Sequence, residues 1–256
     1  MEKESEKIKK NQPVIEIEDL QISFGGNQVL NGASLTLAKG ENLVVLGKSG
    51  MGKSVLIKCI VGLLKPDSGT IKVFGRNILK LNKKEFNETR QKVGFLFQNG
   101  ALYDSMNVKQ NLEFPLIRLK KELSRKEREE KINSALENVG LPDVLYKMPS
   151  ELSGGMRKRV SLARTIIVDP EILLYDEPTT GLDPVTSDEI SELINEVQKK
   201  YQTSSIIITH DLRCALQTGN RVMMLNDGII HKEGTMEDFK TSEDPLINSF
   251  FHEKTT

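Results

Sequence analysis

Hydrophobic positions along this chain come in two rhythms. Unbroken apolar blocks such as Leu43–Leu46, Ile172–Tyr175 and Ile206–Ile208 are short and bounded by glycine, acids or turn residues. That is the pattern of strands covered on both faces. Strand-like runs at Val14–Ile17, Gln21–Phe24 and Ala33–Leu37, with the turn FGGNQ between the last two, predict an antiparallel N-terminal sheet. PDSGTIKVFG adds a turn and a strand, and Val93–Phe97 another, with Gln98 closing the run VGFLFQ before an Asn-Gly turn. The helical rhythm follows the glycines at 47–52, giving a helix over Val55–Leu64, and it dominates from Asn107 to about Met148. There Ser124 and Glu127 form a capping box, Ile132, Ala135, Leu136 and Val139 a stripe, and Gly140 a stop. A helix over Pro184 to about Tyr201 and a hairpin in RVMMLNDGIIHKEG complete the pattern.

These elements predict an α/β fold with a parallel core, an antiparallel edge and an inserted helical segment. Residues 1–13 are expected to be a mobile charged tail, residues 14–256 one domain, and about 100–168 the helical subdomain. The chain has 256 residues with 36 basic and 36 acidic side chains, so its formal charge is zero. Bulk electrostatics therefore gives no reason to expect a nucleic-acid partner. No run of about eighteen apolar residues is present, as a bilayer-spanning helix would need, and the charged opening lacks the apolar core of a secretion signal. Cys59 and Cys214 have no metal-ligand spacing and read as small buried thiols. His231 and His252 read as surface residues.

Candidate chemistry begins at Gly47–Ser54. GKSGMGKS fits the phosphate-loop pattern G-x-x-x-x-G-K-[ST] without a mismatch, with a strand before it and a helix after. Its glycines let backbone N–H groups face phosphate, Lys53 sets a cation between the β- and γ-phosphates, and the Ser54 hydroxyl can ligate Mg²⁺. The stretch Gly47, Lys48, Ser49, Gly50, Met51, Gly52, Lys53, Ser54 and Val55 is the expected nucleotide-binding set. Asp176 ends an apolar strand, where a carboxylate can bind Mg²⁺, and Glu177 beside it can orient or deprotonate water. His210 follows a second such strand and is placed to reach the γ-phosphate. Gln98 offers an amide to metal or water. A second anion-binding turn, Ser153-Gly154-Gly155-Met156, opens a basic helix, since a helix start presents unpaired N–H groups. The run Arg157-Lys158-Arg159 reads mainly as a solvated face, with phosphate anchoring as the alternative.

In this order, GKSGMGKS, FQN, LSGGM, LLYDEP, GLD and THD resemble the ATP-binding subunits of ABC transporters over nearly the whole chain. The resemblance implies a P-loop NTPase core of the RecA-like kind, with ATP and Mg²⁺ bound and ATP hydrolysed. It implies that Phe24 stacks on adenine, that Ser153, Gly154, Gly155 and Met156 form a signature loop acting on the partner subunit's nucleotide, and that Asp183 joins the two active sites. Asp183 before Pro184 is also a good N-cap. Met156 stands where many relatives have Gln. The implied assembly is a head-to-tail homodimer, each ATP lying between the phosphate loop of one copy and the signature loop of the other.

A domain with no span of its own must act on another protein. Leu102, Tyr103 and Met106, in an apolar stretch after Gln98, are the expected contacts to an integral membrane permease. GALYDSMNV, FPL and ELSGGMRKRVSLAR are similar to ATPases of Mla-type phospholipid transporters. That implies an Mce-domain lipid-binding partner, an accessory regulator and a peripheral position at the cytoplasmic face of the inner membrane. The alternatives are the ATPase of a small-solute importer, a soluble ABC-type ATPase of iron–sulfur cluster assembly, and a nucleotide-gated dimerisation module without turnover.

Overall fold

A computed structural model describes residues 13–252. The tail expected at 1–13 lies, but for Pro13, outside them, as does the His252 side chain. The chain divides into two compact units, one drawn from the chain up to Lys80 and from Ser204 onward, the other from Leu81–Thr203. The first unit begins with β1 (Pro13–Phe24), β2 (Asn27–Ala38), β3 (Asn42–Leu46), α1 (Lys53–Ile60), β4 (Ser68–Val73) and β5 (Arg76–Asn77). The second holds α2 (Lys83–Arg90), β6 (Val93–Leu96), α3 (Val108–Leu119), α4 (Arg125–Glu137), α5 (Gly154–Ile166), β7 (Ile172–Asp176) and α6 (Pro184–Tyr201). The first then resumes with β8 (Ser204–Thr209), α7 (Leu212–Thr218), β9 (Arg221–Asn226), β10 (Ile229–Gly234), α8 (Met236–Lys240) and α9 (Pro245–His252).

Every residue of β3 is buried, as its unbroken apolar run requires. It lies between β8 and β9, parallel to both, with Val44 opposite Ile207 on one side and Val222 on the other. β10 folds back antiparallel on β9 through the turn at Asp227-Gly228, as the hairpin pattern predicts. The antiparallel sheet runs β2-β1-β4-β5. In β1 the buried positions change phase, from Ile15 and Ile17 to Leu20 and Ile22. A register shift between Ile17 and Leu20, with Asp19 at φ 50°, is the bulge that allows both halves to face the core.

Two expected elements end early. α1 stops at Ile60 rather than Leu64 because Gly62, at φ 66°, turns the chain out of the helix. The Gly62 N–H then donates to the Cys59 carbonyl (3.1 Å) and the Leu63 N–H to that of Lys58 (2.9 Å), satisfying the last turn. β6 stops at Leu96 and includes neither Phe97 nor Gln98. The Gly100 N–H donates back to the Phe97 carbonyl at 2.8 Å, with Gly100 and Ala101 both at positive φ, so Gln98 sits in a turn past the strand.

β6 pairs in parallel with β7, Gly94 opposite Leu173. α3, α4 and α5 pack on one another, and their apolar residues Val108, Leu112, Leu116, Ile132, Leu136 and Val160 are all buried. Complete capping boxes start α3 (Asn107 with Gln110) and α4 (Ser124 with Glu127), each cap stabilising by roughly 1 kcal/mol. α4 ends at Glu137, and Gly140 lies beyond it at φ 68°.

Arg221 at the start of β9 ties distant pieces of the first unit together. It donates to the Glu41 carboxylate (2.6 and 3.0 Å), to the Thr36 carbonyl (2.6 Å) and to Glu233. The Glu41 carboxylate in particular holds the guanidinium in its charged form. Among the described residues no helix is long and apolar enough to cross a membrane.

Candidate nucleotide site

The phosphate loop joins the buried β3 to α1. Gly50 (φ 85°) and Gly52 (φ 91°) occupy the left-handed region, where a side chain is strained. A Cβ at Gly47 would stand 2.5 Å from the Leu225 carbonyl oxygen, so the loop also packs too closely on β9 to carry one there. Lys53 is buried, its Nζ donating to the Gly47 carbonyl at 2.6 Å and that of Lys48 at 3.0 Å. These bonds curl the loop around its own lysine, while Lys48, Ser49 and Gly50 remain exposed and Met51, Ser54 and Val55 are half-buried. In the same unit Phe24 ends β1 with its ring exposed, and His210 stands exposed directly after β8.

The second unit carries the acids. Asp176 is the last residue of β7 and Glu177 follows it, both buried. Glu177 adopts φ 49°, an unusual conformation for a residue with a side chain, and its carboxylate accepts from the Thr180 hydroxyl at 3.2 Å. Ser153 caps α5, its hydroxyl accepting the Met156 N–H at 3.3 Å. Asp183 caps α6 through the N–H groups of Val185 and Thr186 (3.1 Å each) and accepts the Thr186 hydroxyl at 2.6 Å. That hydroxyl holds its carboxyl below the usual carboxylate range. The two turns touch: a Cβ on Gly155 would lie 2.5 Å from the Thr186 methyl group.

Lys158 departs from the solvated basic face expected of Arg157-Lys158-Arg159. Only Arg157 is exposed; Arg159 pairs with Glu189 at 2.5 Å, and Lys158 is buried. The Lys158 Nζ donates to the backbone carbonyls of Gln98 and, at 3.2 Å, of Glu177. Burial pulls its pKa down to about 8, against the opposing pull of Asp176 and Glu177. The spacing held a signal for this. Gly155, Lys158, Leu162 and Ile166 recur at three and four residues, so Lys158 occupies a position on the buried stripe of α5.

Tyr103 stands exposed beside an open groove of about 400 Å³, lined also by Phe95, Phe97, Ala101, Phe114, Pro115 and Arg164. Its ring meets Phe114 edge-on at 5.2 Å, with Arg164 5.8 Å from its centroid. Leu102 and Met106 are half-buried and, unlike Tyr103, are not among the groove's lining residues, while Val108 and Leu112 are fully buried. Sequence reasoning missed Asn111. Fully buried, it accepts the Tyr103 N–H (2.8 Å) and donates to the carbonyls of Tyr103, Met106 and Asn107, fixing the loop before α3.

Strand, glycine loop and helix in this arrangement define a P-loop nucleotide-binding fold. The sequence profile of the ABC transporter family matches residues 30–180, more than half of the chain. The chain belongs to the ABC transporter family and carries its ATPase domain. It is 39% identical, over 93% of its length, to a protein of Mycobacterium bovis named "Probable ribonucleotide transport ATP-binding protein mkl", covering 66% of that protein. It is 36% identical over 93% of its length to a methionine import ATP-binding protein of Brucella abortus, covering 64% of it. The chain thus spans just under two thirds of these relatives' length. Among solved structures it resembles a dimeric ATP-binding cassette in a post-hydrolysis state with ADP and Pi (TM-score 0.79, 28% identity, 86% of this chain and 98% of that one). It also resembles CbiO1 of Clostridium perfringens, part of an ABC transporter complex (TM-score 0.82, 28% identity, 94% and 95%).

Proposed function

We propose that this chain hydrolyses ATP as a homodimer and drives a membrane transport complex that moves phospholipid. The observation that carries the enzymatic part is Glu177, a buried carboxylate held directly after β7 in a backbone conformation that costs energy. In this reading Glu177 orients and deprotonates the attacking water, and His210 contacts the γ-phosphate. Lys53 and the N–H groups of the loop hold the phosphates, and Phe24 stacks on the base. Ser54, Asp176 and Gln98 are oxygen donors of the kind magnesium prefers, and the ion, when bound, neutralises phosphate charge. Ser153, Gly154, Gly155 and Met156 act on the nucleotide of the other copy, with Asp183 joining the two sites. Hydrolysis removes the γ-phosphate contacts that favour closure, so turnover opens the pair.

The expected behaviour separates binding from turnover. Lys53→Ala weakens nucleotide binding, whereas Glu177→Gln retains it and accumulates an ATP-bound dimer. Size-exclusion chromatography of Glu177→Gln with ATP and magnesium tests this, and a monomer alone would sink it.

The apolar groove lined by Tyr103, Phe97 and Phe114 suits a short helix of an integral membrane permease, with Leu102 and Met106 of the same segment as further contacts. The lipid reading rests on likeness to Mla-type ATPases in GALYDSMNV and ELSGGMRKRVSLAR, and brings an Mce-domain partner and a place on the cytoplasmic side of the inner membrane. A second reading, import of a small solute, is favoured by the name of the methionine import relative, and the ribonucleotide transport relative is likewise named for a small solute. Purification of the tagged chain from detergent-solubilised membranes distinguishes them. A co-purifying permease with bound phospholipid supports the first, and a permease with a soluble solute-binding protein and no phospholipid supports the second.

A further inference from the structure

The mechanism above has no use for the most deeply buried cation of the second unit's basic helix. α5 begins at the signature turn, and one turn along it Lys158 reaches two separate backbone segments with a single ammonium: the carbonyl of Gln98, past β6, and that of Glu177, past β7. Two further features join α5 to the first of these segments. Arg164 donates to the carbonyls of Gly100 (3.0 Å) and Ala101 (2.7 Å). Gly100 also lies so near α5 that a Cβ there would stand 2.3 Å from the Ser161 hydroxyl oxygen. The segment after Gln98 is therefore seated along α5, and Glu177 shares one of the cations that seat it.

Glu177 needs such a restraint. A left-handed backbone conformation in a residue with a side chain persists only where its surroundings over-determine it. The Thr180 N–H reaches the Glu177 carbonyl at 3.3 Å, a long bond, and Lys158 supplies a charged donor to the same oxygen.

We infer that Lys158 is a positioning residue for hydrolysis: its ammonium pins the Glu177 backbone and the Gln98 turn to the helix that begins at the signature loop. Both of its hydrogen bonds described above go to backbone carbonyls, and it acts by fixing where the Glu177 carboxylate points. This rests on Glu177 acting on water as proposed above.

The test compares steady-state ATPase kinetics and equilibrium ATP binding of the intact chain with those of Lys158→Arg, Lys158→Gln, Lys158→Met and Glu177→Gln. Misplacing a reacting group lowers kcat without touching phosphate binding, so Lys158→Met should lose roughly 10- to 100-fold in kcat with KM and ATP affinity held within about twofold. Lys158→Arg, a charged donor of similar reach, should restore most of that loss, and Lys158→Gln should fall between. If Lys158→Met does not fold, the Arg and Gln variants decide by the same order. Unchanged kcat in Lys158→Met or Lys158→Gln while Glu177→Gln is inactive would overturn the inference alone, as would a rise in KM that accounts for the loss. Full turnover in Glu177→Gln would overturn the role of Glu177 and this inference with it.

Discussion

The glycines of the phosphate loop and those of the signature turn look alike in sequence and answer to different physical demands. Gly52 is set by backbone conformation: it lies at φ 91°, and an added Cβ would also stand 2.9 Å from the Val29 carbonyl oxygen. Gly155 sits inside the first turn of α5, and its constraint is space, a 2.5 Å approach to one methyl group of Thr186. A backbone conflict cannot be relieved by changing a neighbour's side chain. A side-chain conflict can.

Gly52→Ala is the larger insult, combining a strained conformation of about 1–3 kcal/mol with a collision against main chain. Taking the two together as about 3 kcal/mol, at roughly 2–4 °C per kcal/mol for a chain of this size, melting should fall by about 6–12 °C, and no substitution at Val29 should recover it. Scanning calorimetry of Gly52→Ala alone and with Val29→Ala measures this; recovery in the double variant would show that the side chain was the obstacle. Gly155→Ala should cost only about 1–2 kcal/mol. Thr186→Ser removes the offending methyl and keeps the hydroxyl that bonds Asp183, so the pair should regain most of the loss. A double-mutant cycle by chemical denaturation gives the coupling directly, and additivity within about 0.3 kcal/mol would refute a steric origin.

The same distinction explains what could be read from the chain alone. β3, its glycine loop and α1, the acids after β7, and α6 with its Asp183 cap were legible because each is written in contiguous residues: an apolar run, a turn chemistry, a cap. Where α1 and β6 end was decided by Gly62 and Gly100, whose left-handed conformations a helical or strand periodicity does not register. Lys158 and Asn111 were hidden for another reason. Each is a polar residue on a buried stripe: the carbonyls that make burial tolerable for Lys158 come from segments that only the tertiary fold brings near, and those for Asn111 from the irregular loop just before its own helix, whose path helical periodicity does not register. The expected solvated face around Lys158 came from treating three adjacent basic residues as one patch, although neighbours in a helix point about 100° apart.

The division of the first unit has a consequence for synthesis. β3 leaves the ribosome early, yet the two strands that flank it, β8 and β9, are translated only after all of Leu81–Thr203. The Arg221 clasp on Glu41 and Thr36 arrives only with the first residue of β9. The nascent phosphate loop therefore waits on a strand with both edges open, and a ribosome stalled before Ser204 would hold a protein unable to close its own nucleotide cradle.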